Sequence, residues 1–403
     1  MPTGRTLWPV DATRHAESGP SPAASVSQDA IRGYSVIVKT PPTVGVEEEL
    51  LLVDPRTGIP VGRNADVART AADLGIDLQL ELTRCQVEIN TRVHSTTPEL
   101  LKELRELRRG VSACAEKNDA LLLAVAVPPT VPPDEPVTAT PRYRRIAANF
   151  GLLAHEQGLC GCHVHVAVPD REAALRVSDY LRPWLPLLLA LTANSSVYHG
   201  LDTEYASWRS VLWRRWPSAG APPRFASAAD YDAAVARMLS LGVILDRKMV
   251  YWDIRPSARF PTVEIRVSDV PATVEETALL ATLIRAAVMT AHRHIEAGRC
   301  APAVPDDVLR AAYWRAARSG LDGDGIDPVR GQPLPMRELL RGFVDHLAPA
   351  LDELGDRAFV DETVAALLDR GNGARRQRAA LRVRGDLGDV LDVLAEATLY
   401  TCR

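Results

Sequence analysis

The 403-residue sequence predicts an α+β fold. Three observations carry this: four short segments alternate apolar and ionisable residues with period two, capped helical stretches lie between and after them, and from about Pro302 onward Leu and Ala recur at helical spacing with few strand signals. The first strand-like segment is Val44–Val53, in which alternation sends Glu47 and Glu49 to one face and Glu48 to the other, while the flanking Val and Leu residues imply burial. Neighbouring buried carboxylates are costly unless a proton or a cation sits between them. Taken alone, an ordinary strand with a solvated acidic edge explains this segment equally well.

Recurrence shifts that balance. In Glu81–Asn90, residues Gln86, Glu88 and Asn90 share a face, and Glu81 lies just ahead within reach of it. In Gly161–Val168, His163 and His165 face one way with valines between them, a device for metal or phosphate as well as a common structural pair. Tyr251–Ser257 leads into Thr262–Asp269, which places Glu264, Arg266 and Ser268 together. Four such segments predict one sheet whose polar face lines a charged cavity. Oxygen-rich donors with an imidazole suit Mg²⁺ or Mn²⁺ better than Zn²⁺. Such ions beside an arginine are what phosphoryl transfer from ATP requires. The phosphate loops of other folds, G-x-x-x-x-G-K-[ST] and G-x-G-x-x-G after a strand, are absent.

Helix signals fall at Thr97-Pro98-Glu99, continuing through Leu107, and at the capping box Thr273 to Glu276, with an end near Gly298. The Pro-rich run from Pro128 to Pro136, meeting Arg142-Tyr143-Arg144, reads as a loop over the site entrance.

The segments Thr43–Glu49, Glu88–Thr91, Gly161–Val166, Trp208–Pro217, Asp253–Ser257, Val263–Asp269 and Gly373–Arg378 resemble, in this order, the type-2 glutamate-cysteine ligases, also called carboxylate-amine ligases. The resemblance runs from about Thr43 to near the C-terminus. It implies a glutamine-synthetase-like catalytic domain, a curved and mainly antiparallel sheet with helices behind it, which joins glutamate to an amino acid or amine, cysteine by default, at the expense of ATP. By that likeness Glu49, Glu81 and Glu88 hold one metal, and Glu47, His163 and Glu264 hold another. Arg266 faces the transferring phosphoryl group, His165 touches phosphate, and Arg255 is a second contact for the nucleotide or acyl phosphate.

Arg209, with Tyr205 and Glu204 beside it, is implied to read the amino-acid substrate. The chain departs from its relatives here, since they commonly carry Gly at the position of Glu204 and an aromatic-rich run at Ser195–Tyr198. These departures put the accepting amine in question, although a harmless surface change explains Glu204 equally well. Likeness also places Arg375 near the nucleotide, in a flexible basic loop over Gly371–Arg376, where a solvated turn is the commoner meaning of such a string.

A net charge of −4 without a basic stripe argues against nucleic acid as a partner. Six scattered cysteines lack a disulfide or zinc rhythm and read as reduced thiols. No export signal or membrane span is evident, so a cytoplasmic homo-oligomer acting on small molecules is expected. Residues 1–40 read as a mobile tail, 41–300 as the catalytic domain and 301–403 as a helical lobe completing the same unit. Three competing functions stay open: a sister ligase for a different amine, a metal-dependent phosphotransferase, and a non-catalytic amino-acid sensor.

Overall fold

The computed structural model describes residues 40–131 and 137–402. The predicted tail, apart from residue 40, and the tip of the Pro-rich loop at 132–136 lie outside the described residues. The strands are β1 Val44–Val53, β2 Leu78–Leu80, β3 Gln86–Asn90, β4 Leu121–Leu123, β5 Gly161–Ala167, β6 Val197–Tyr198, β7 Leu201–Asp202, β8 Ile254–Pro256, β9 Thr262–Asp269, β10 Asp324–Asp327 and β11 Gln332–Pro335. The helices are α1 Asn64–Ala72, α2 Thr97–Glu116, α3 Pro141–Phe150, α4 Leu152–His155, α5 Arg171–Leu181, α6 Leu185–Thr192, α7 Trp208–Trp213, α8 Ala228–Ser240, α9 Val274–Glu296, α10 Asp306–Ser319, α11 Met336–Leu354, α12 Arg357–Arg370, α13 Gly373–Arg384 and α14 Leu387–Thr398.

One seven-stranded sheet organises the molecule, in the order β2-β3-β1-β5-β9-β8 with β4 on the far part of β1. Every pairing in it is antiparallel. The fold is therefore α+β, as the alternating segments and the helical C-terminal part imply. One face of the sheet is apolar. Val44, Val46, Cys162, Val164, Val166, Val263, Ile265 and Val267 are buried there in a core shared with α5, α6 and α9. A second core gathers Leu50–Val53, Val87, Ile89 and Leu122 with α1, α2 and α14. The opposite face carries the ionisable residues, because alternate positions on each strand must point away from those cores.

Helix α9 opens on Thr273, whose hydroxyl accepts from Glu276 N at 3.3 Å, as the capping box predicts. Helix α2 is capped one residue earlier than the sequence suggests, by Thr96, with Pro98 in its first turn. The C-terminal part is helical with one addition, the β10–β11 hairpin. Helices α10, α11 and α12 pack on α6 and α9, while α14 reaches back to β4.

Candidate active site

Residue pairing across the sheet decides which predicted side chains meet. Glu49 lies opposite Glu88 and Glu47 opposite His163, so β1 brings its two carboxylates against β3 on one side and β5 on the other. Glu81, in the β2–β3 connection, completes a group with Glu49 and Glu88 whose donor atoms all lie within 4.8 Å of one another. Burial, and then the charge of Glu49, push the Glu81 carboxyl up to about 8. Burial and the charges of Glu81, Glu47 and Glu49 likewise hold Glu88 well above the usual carboxylate range. Glu49 Oε2 accepts from the backbone N of Gly161 at 2.6 Å, and Glu88 Oε1 from Asn90 Nδ2 at 3.1 Å.

A second set forms around Glu47. His163 Nδ1 lies 3.0 Å from Glu47 Oε2, and His165 Nε2 lies 3.2 Å from Glu47 Oε1. Burial alone would raise Glu47, but its hydrogen bonds to the two imidazoles and their charge outweigh it and hold the carboxyl well below its usual range. His165 is lowered by burial and raised by more through Glu47 and Glu264, whereas burial and Arg266 leave His163 below the ordinary imidazole value. His165 Nδ1 is fixed by the Thr262 hydroxyl at 3.1 Å.

The grouping of Glu47, His163 and Glu264 implied by resemblance takes a different form. Glu47 meets His163 together with Glu88, and it meets Glu264 together with His165. A register shift between Cys162 and Val164 moves His165 from the level of Ile265 to that of Glu264, and His163 lies two residues further along β5. Glu264 is already claimed by two guanidiniums. Arg255 donates to both of its oxygens, Nε to Oε2 at 2.9 Å and Nη2 to Oε1 at 3.0 Å, and Arg266 Nη1 also donates to Oε1. Burial opposes ionisation of Glu264, but Arg255 and Arg266 hold it well below the usual range. Arg266 Nη1 also lies 3.3 Å from His163 Nδ1, which places it between the histidine and Glu264.

Charge balance tests whether a cation fits. Five carboxylates, Glu47, Glu49, Glu81, Glu88 and Glu264, face the two guanidiniums of Arg255 and Arg266. Burial first, and then that excess, drive Glu81 and Glu88 towards protonation, and divalent cations among oxygen donors would offset both. The buried Arg266 Nε and Ser268 Oγ, on the same face of β9, have no hydrogen-bond partner among the described residues. The donor set fits Mg²⁺ or Mn²⁺.

Beside this cluster lies Arg209, on the short helix α7 that Ser207 caps. Its guanidinium packs over the Trp213 ring at 5.5 Å and beside Gly161, where a Cβ would overlap it. Its Nε is buried without a partner. Trp213, Trp216 and Tyr251 form an aromatic wall, with ring centres 4.8 Å apart for Trp213 and Tyr251 and 5.5 Å for Trp216 and Tyr251.

Three predicted residues stand apart from the cluster. Glu204 is 75% exposed and ion-paired to Arg318 at 2.9 Å, and its φ of 59° lies in the left-handed region that favours Gly. Tyr205 packs edge-on against Trp208 at 5.3 Å. Arg375 is exposed and 3.8 Å from Asp322. The basic loop drawn over Gly371–Arg376 is instead the ordered start of α13, capped by Asn372, because Asn372, Ala374 and Gln377 bond into the protein interior. Arg142-Tyr143-Arg144 is helical too, with Arg142 held by Asp246 at 2.8 Å.

Sequence reasoning overlooked Asp269, Asn194 and Gln377, all fully buried and hydrogen-bonded beside Arg209. Asp269 ends a quoted motif but alternates away from Ser268, so its facing gave no signal. Arg142 and Tyr251 lie within electrostatic reach of Glu81, and only their proximity in space reveals it.

With this geometry in view, three comparisons bear on identity. Residues 43–393 match the family described as glutamate-cysteine ligase family 2. A Nocardia farcinica protein named "Putative glutamate--cysteine ligase 2-1" is 65% identical over 361 residues, covering 90% of this chain and 94% of that one. A Mycolicibacterium smegmatis protein named "Putative glutamate--cysteine ligase 2-3" is 58% identical over 359 residues, covering 89% and 98%. The fold is shared with a glutamate-cysteine ligase of Francisella tularensis solved in complex with AMP, at a TM-score of 0.65 and 13% identity over 89% of this chain and 88% of that one. It is shared also with a bifunctional glutathione synthetase of Pasteurella multocida, at 0.64 and 15% identity over 90% and 53%. Among the described residues no helix is long and apolar enough to cross a membrane. By the extent and level of these matches, the chain belongs to glutamate-cysteine ligase family 2.

Proposed function

We propose that the protein is an ATP-dependent carboxylate-amine ligase that joins the side-chain carboxylate of glutamate to the amine of a small amino acid, cysteine being the family default. The carrying observation is the convergence of Glu49, Glu81 and Glu88 beside Glu47, with Arg255 and Arg266 on the adjoining strands. Glu49, Glu81 and Glu88 would hold one divalent cation. Glu47 supplies donors for a second, either with His163 and Glu88 or with His165 and Glu264. When bound, these ions neutralise phosphate oxygens of the nucleotide.

A carboxylate is a poor acyl donor. Attack of its oxygen on the γ-phosphorus of ATP breaks the bond to the β-bridging oxygen, releases ADP and gives an acyl phosphate; the amine then adds to the acyl carbon and phosphate leaves, with the amine proton lost to solvent or a nearby base. Arg266 and Arg255 are placed to stabilise charge spread over the transferring phosphoryl group, and His165, steadied by Thr262, to contact phosphate. Arg375, on the exposed edge of α13, is the remaining nucleotide contact proposed from family likeness. Acyl phosphates hydrolyse, so the buried setting of Glu264 and His163 and the aromatic wall serve to exclude water. Arg209, whose Nε is open, takes a substrate carboxylate, with Tyr205 and Glu204 on the adjoining turn at its rim.

Incubation with ATP, Mg²⁺, glutamate and pooled amino acids, followed by mass spectrometry, tests this reading. A new γ-glutamyl amide with stoichiometric ADP is expected. A stable phosphorylated product without amide would mean a phosphotransferase, and ligand binding with no ADP would mean a sensor.

A further inference from the structure

Behind Arg209 lies a polar network with no contact to solvent. Asn194, Ser195, Ser207, Asp269 and Gln377 are each fully buried, and Arg209 is 2% exposed. Asp269, at the end of the strand that carries Glu264 and Arg266, spends its acceptor capacity on three donors. Asn194 N at 2.9 Å and Ser195 Oγ at 2.7 Å bond to Oδ2, and Ser207 Oγ at 2.8 Å bonds to Oδ1. The same Ser195 hydroxyl accepts from Arg209 N at 3.0 Å.

Gln377, on α13, closes the network from the C-terminal side. Its Nε2 donates to Asn194 O at 3.0 Å and to Asn194 Oδ1 at 2.8 Å, while its Oε1 accepts from Val197 N at 3.1 Å and Ser196 Oγ at 3.3 Å. The fit around it leaves no slack, since a Cβ at Gly373 would overlap the Asn194 carboxamide. Asn372 Nδ2 further ties the start of α13 to Ala190 O at 3.0 Å.

One geometric consequence is unusual. A buried aspartate beside a buried arginine ordinarily forms a close, bidentate pair. Here Arg209 Nη1 stands 3.9 Å from Asp269 Oδ1, and Arg209 Nε has no partner. The carboxylate is kept busy with backbone and hydroxyl donors, and the guanidinium keeps its donors for another anion.

We infer that Gln377 is a positioning residue for substrate recognition: by clamping the Asn194–Ser196 segment onto Asp269, it keeps that carboxylate from collapsing onto Arg209 and so leaves the guanidinium open to a substrate carboxylate. The inference rests on the proposed reading of Arg209. Part of the helical C-terminal region thereby acts in amino-acid recognition, alongside the nucleotide contact proposed for Arg375.

The test compares Gln377→Met, Gln377→Glu and Arg209→Lys, measuring KM for each amino-acid substrate and for ATP, kcat and thermal unfolding. Met fills the same length without donors, while Glu is isosteric but cannot donate to Asn194; Met is the fallback if Glu prevents folding. Arg209→Lys should raise KM for one amino-acid substrate, and the Gln377 variants should raise KM for that same substrate by roughly tenfold, about the effect of 1.4 kcal/mol, with KM for ATP within about twofold. Folded Gln377 variants with wild-type KM, while Arg209→Lys is impaired, would overturn the inference and leave the reading of Arg209 intact. Unchanged amino-acid KM in Arg209→Lys would overturn the reading itself. A uniform rise in every KM that tracks a lowered melting temperature would reduce Gln377 to a structural part.

Discussion

Glu48, between the two site carboxylates of β1, points into the protein and is fully buried against Arg108, which is equally buried. Arg108 donates Nε to Glu48 Oε2 at 2.9 Å and Nη2 to Oε1 at 2.5 Å. Its remaining N–H groups reach Pro271 O and Ala272 O, each at 2.9 Å, and Thr398 O at 3.4 Å. One guanidinium thus joins β1 to α2, to the turn after β9 and to the end of α14. Arg108→Met would leave Glu48 with the Thr277 hydroxyl at 2.6 Å as its remaining partner. Stranding a buried charge in this way costs about 3–5 kcal/mol, and the Pro271 and Ala272 carbonyls left without donors push the value towards the upper end, while Thr398 O keeps the Cys402 thiol. Replacing both members by apolar residues removes the stranded charge, so Glu48→Leu with Arg108→Met should recover at least half of the loss. Urea unfolding followed by tryptophan fluorescence reads both. If Arg108→Met unfolds at the same urea concentration as the native chain, or the double variant is weaker than the single one, the pair is not the brace described.

Glu264→Ala and Glu47→Ala should each abolish ADP release while leaving amino-acid binding, measured by calorimetry, within about tenfold; wild-type turnover in either would reject their proposed roles. At position 204, Glu→Gly relieves a left-handed backbone but loses an exposed ion pair worth about 1 kcal/mol or less, so thermal stability should stay nearly constant. A KM change for an amino-acid substrate in that variant would show that the Glu204 turn takes part in recognition. His346 is held down to about 4 by burial and by the nearby His294. A folded-state value below the unfolded one, about 6.5, means that protonation favours unfolding, so stability is full above about pH 6.5 and declines towards pH 4. His346→Phe should flatten that decline in pH-dependent melts, and an unaltered slope would assign it to other groups.

The strands and their facing were legible because period-two alternation leaves a strong mark when one face is apolar and the other acidic. Val46, Leu50 and Val164 against Glu47, Glu49 and His163 could be sorted from the sequence alone. Helix α9 was legible for a similar local reason, its Thr273 and Glu276 capping box. What alternation cannot give is partnership across strands. The shift between Cys162 and Val164 pairs Glu264 with His165, and no feature of either segment announces it. The string Gly371–Arg376 reads as a basic loop by composition, yet Asn372 and Gln377 make it an ordered helix start by bonding to residues almost 200 positions away. Contacts of that range decided the residues around Arg209, which is why Asp269 and Gln377 escaped notice.

The claim at the centre of this account is that half-buried carboxylates from β1, β3 and the β2–β3 connection hold a divalent cation. Titration of Mn²⁺ followed by electron paramagnetic resonance, on the native chain and on Glu81→Gln and Glu88→Gln, addresses it directly. Saturable binding by the native chain, weakened by at least about tenfold in each variant with the fold intact by circular dichroism, is the predicted result. Equal Mn²⁺ affinity in all three proteins, or no saturable binding by the native chain with or without ATP, would contradict it.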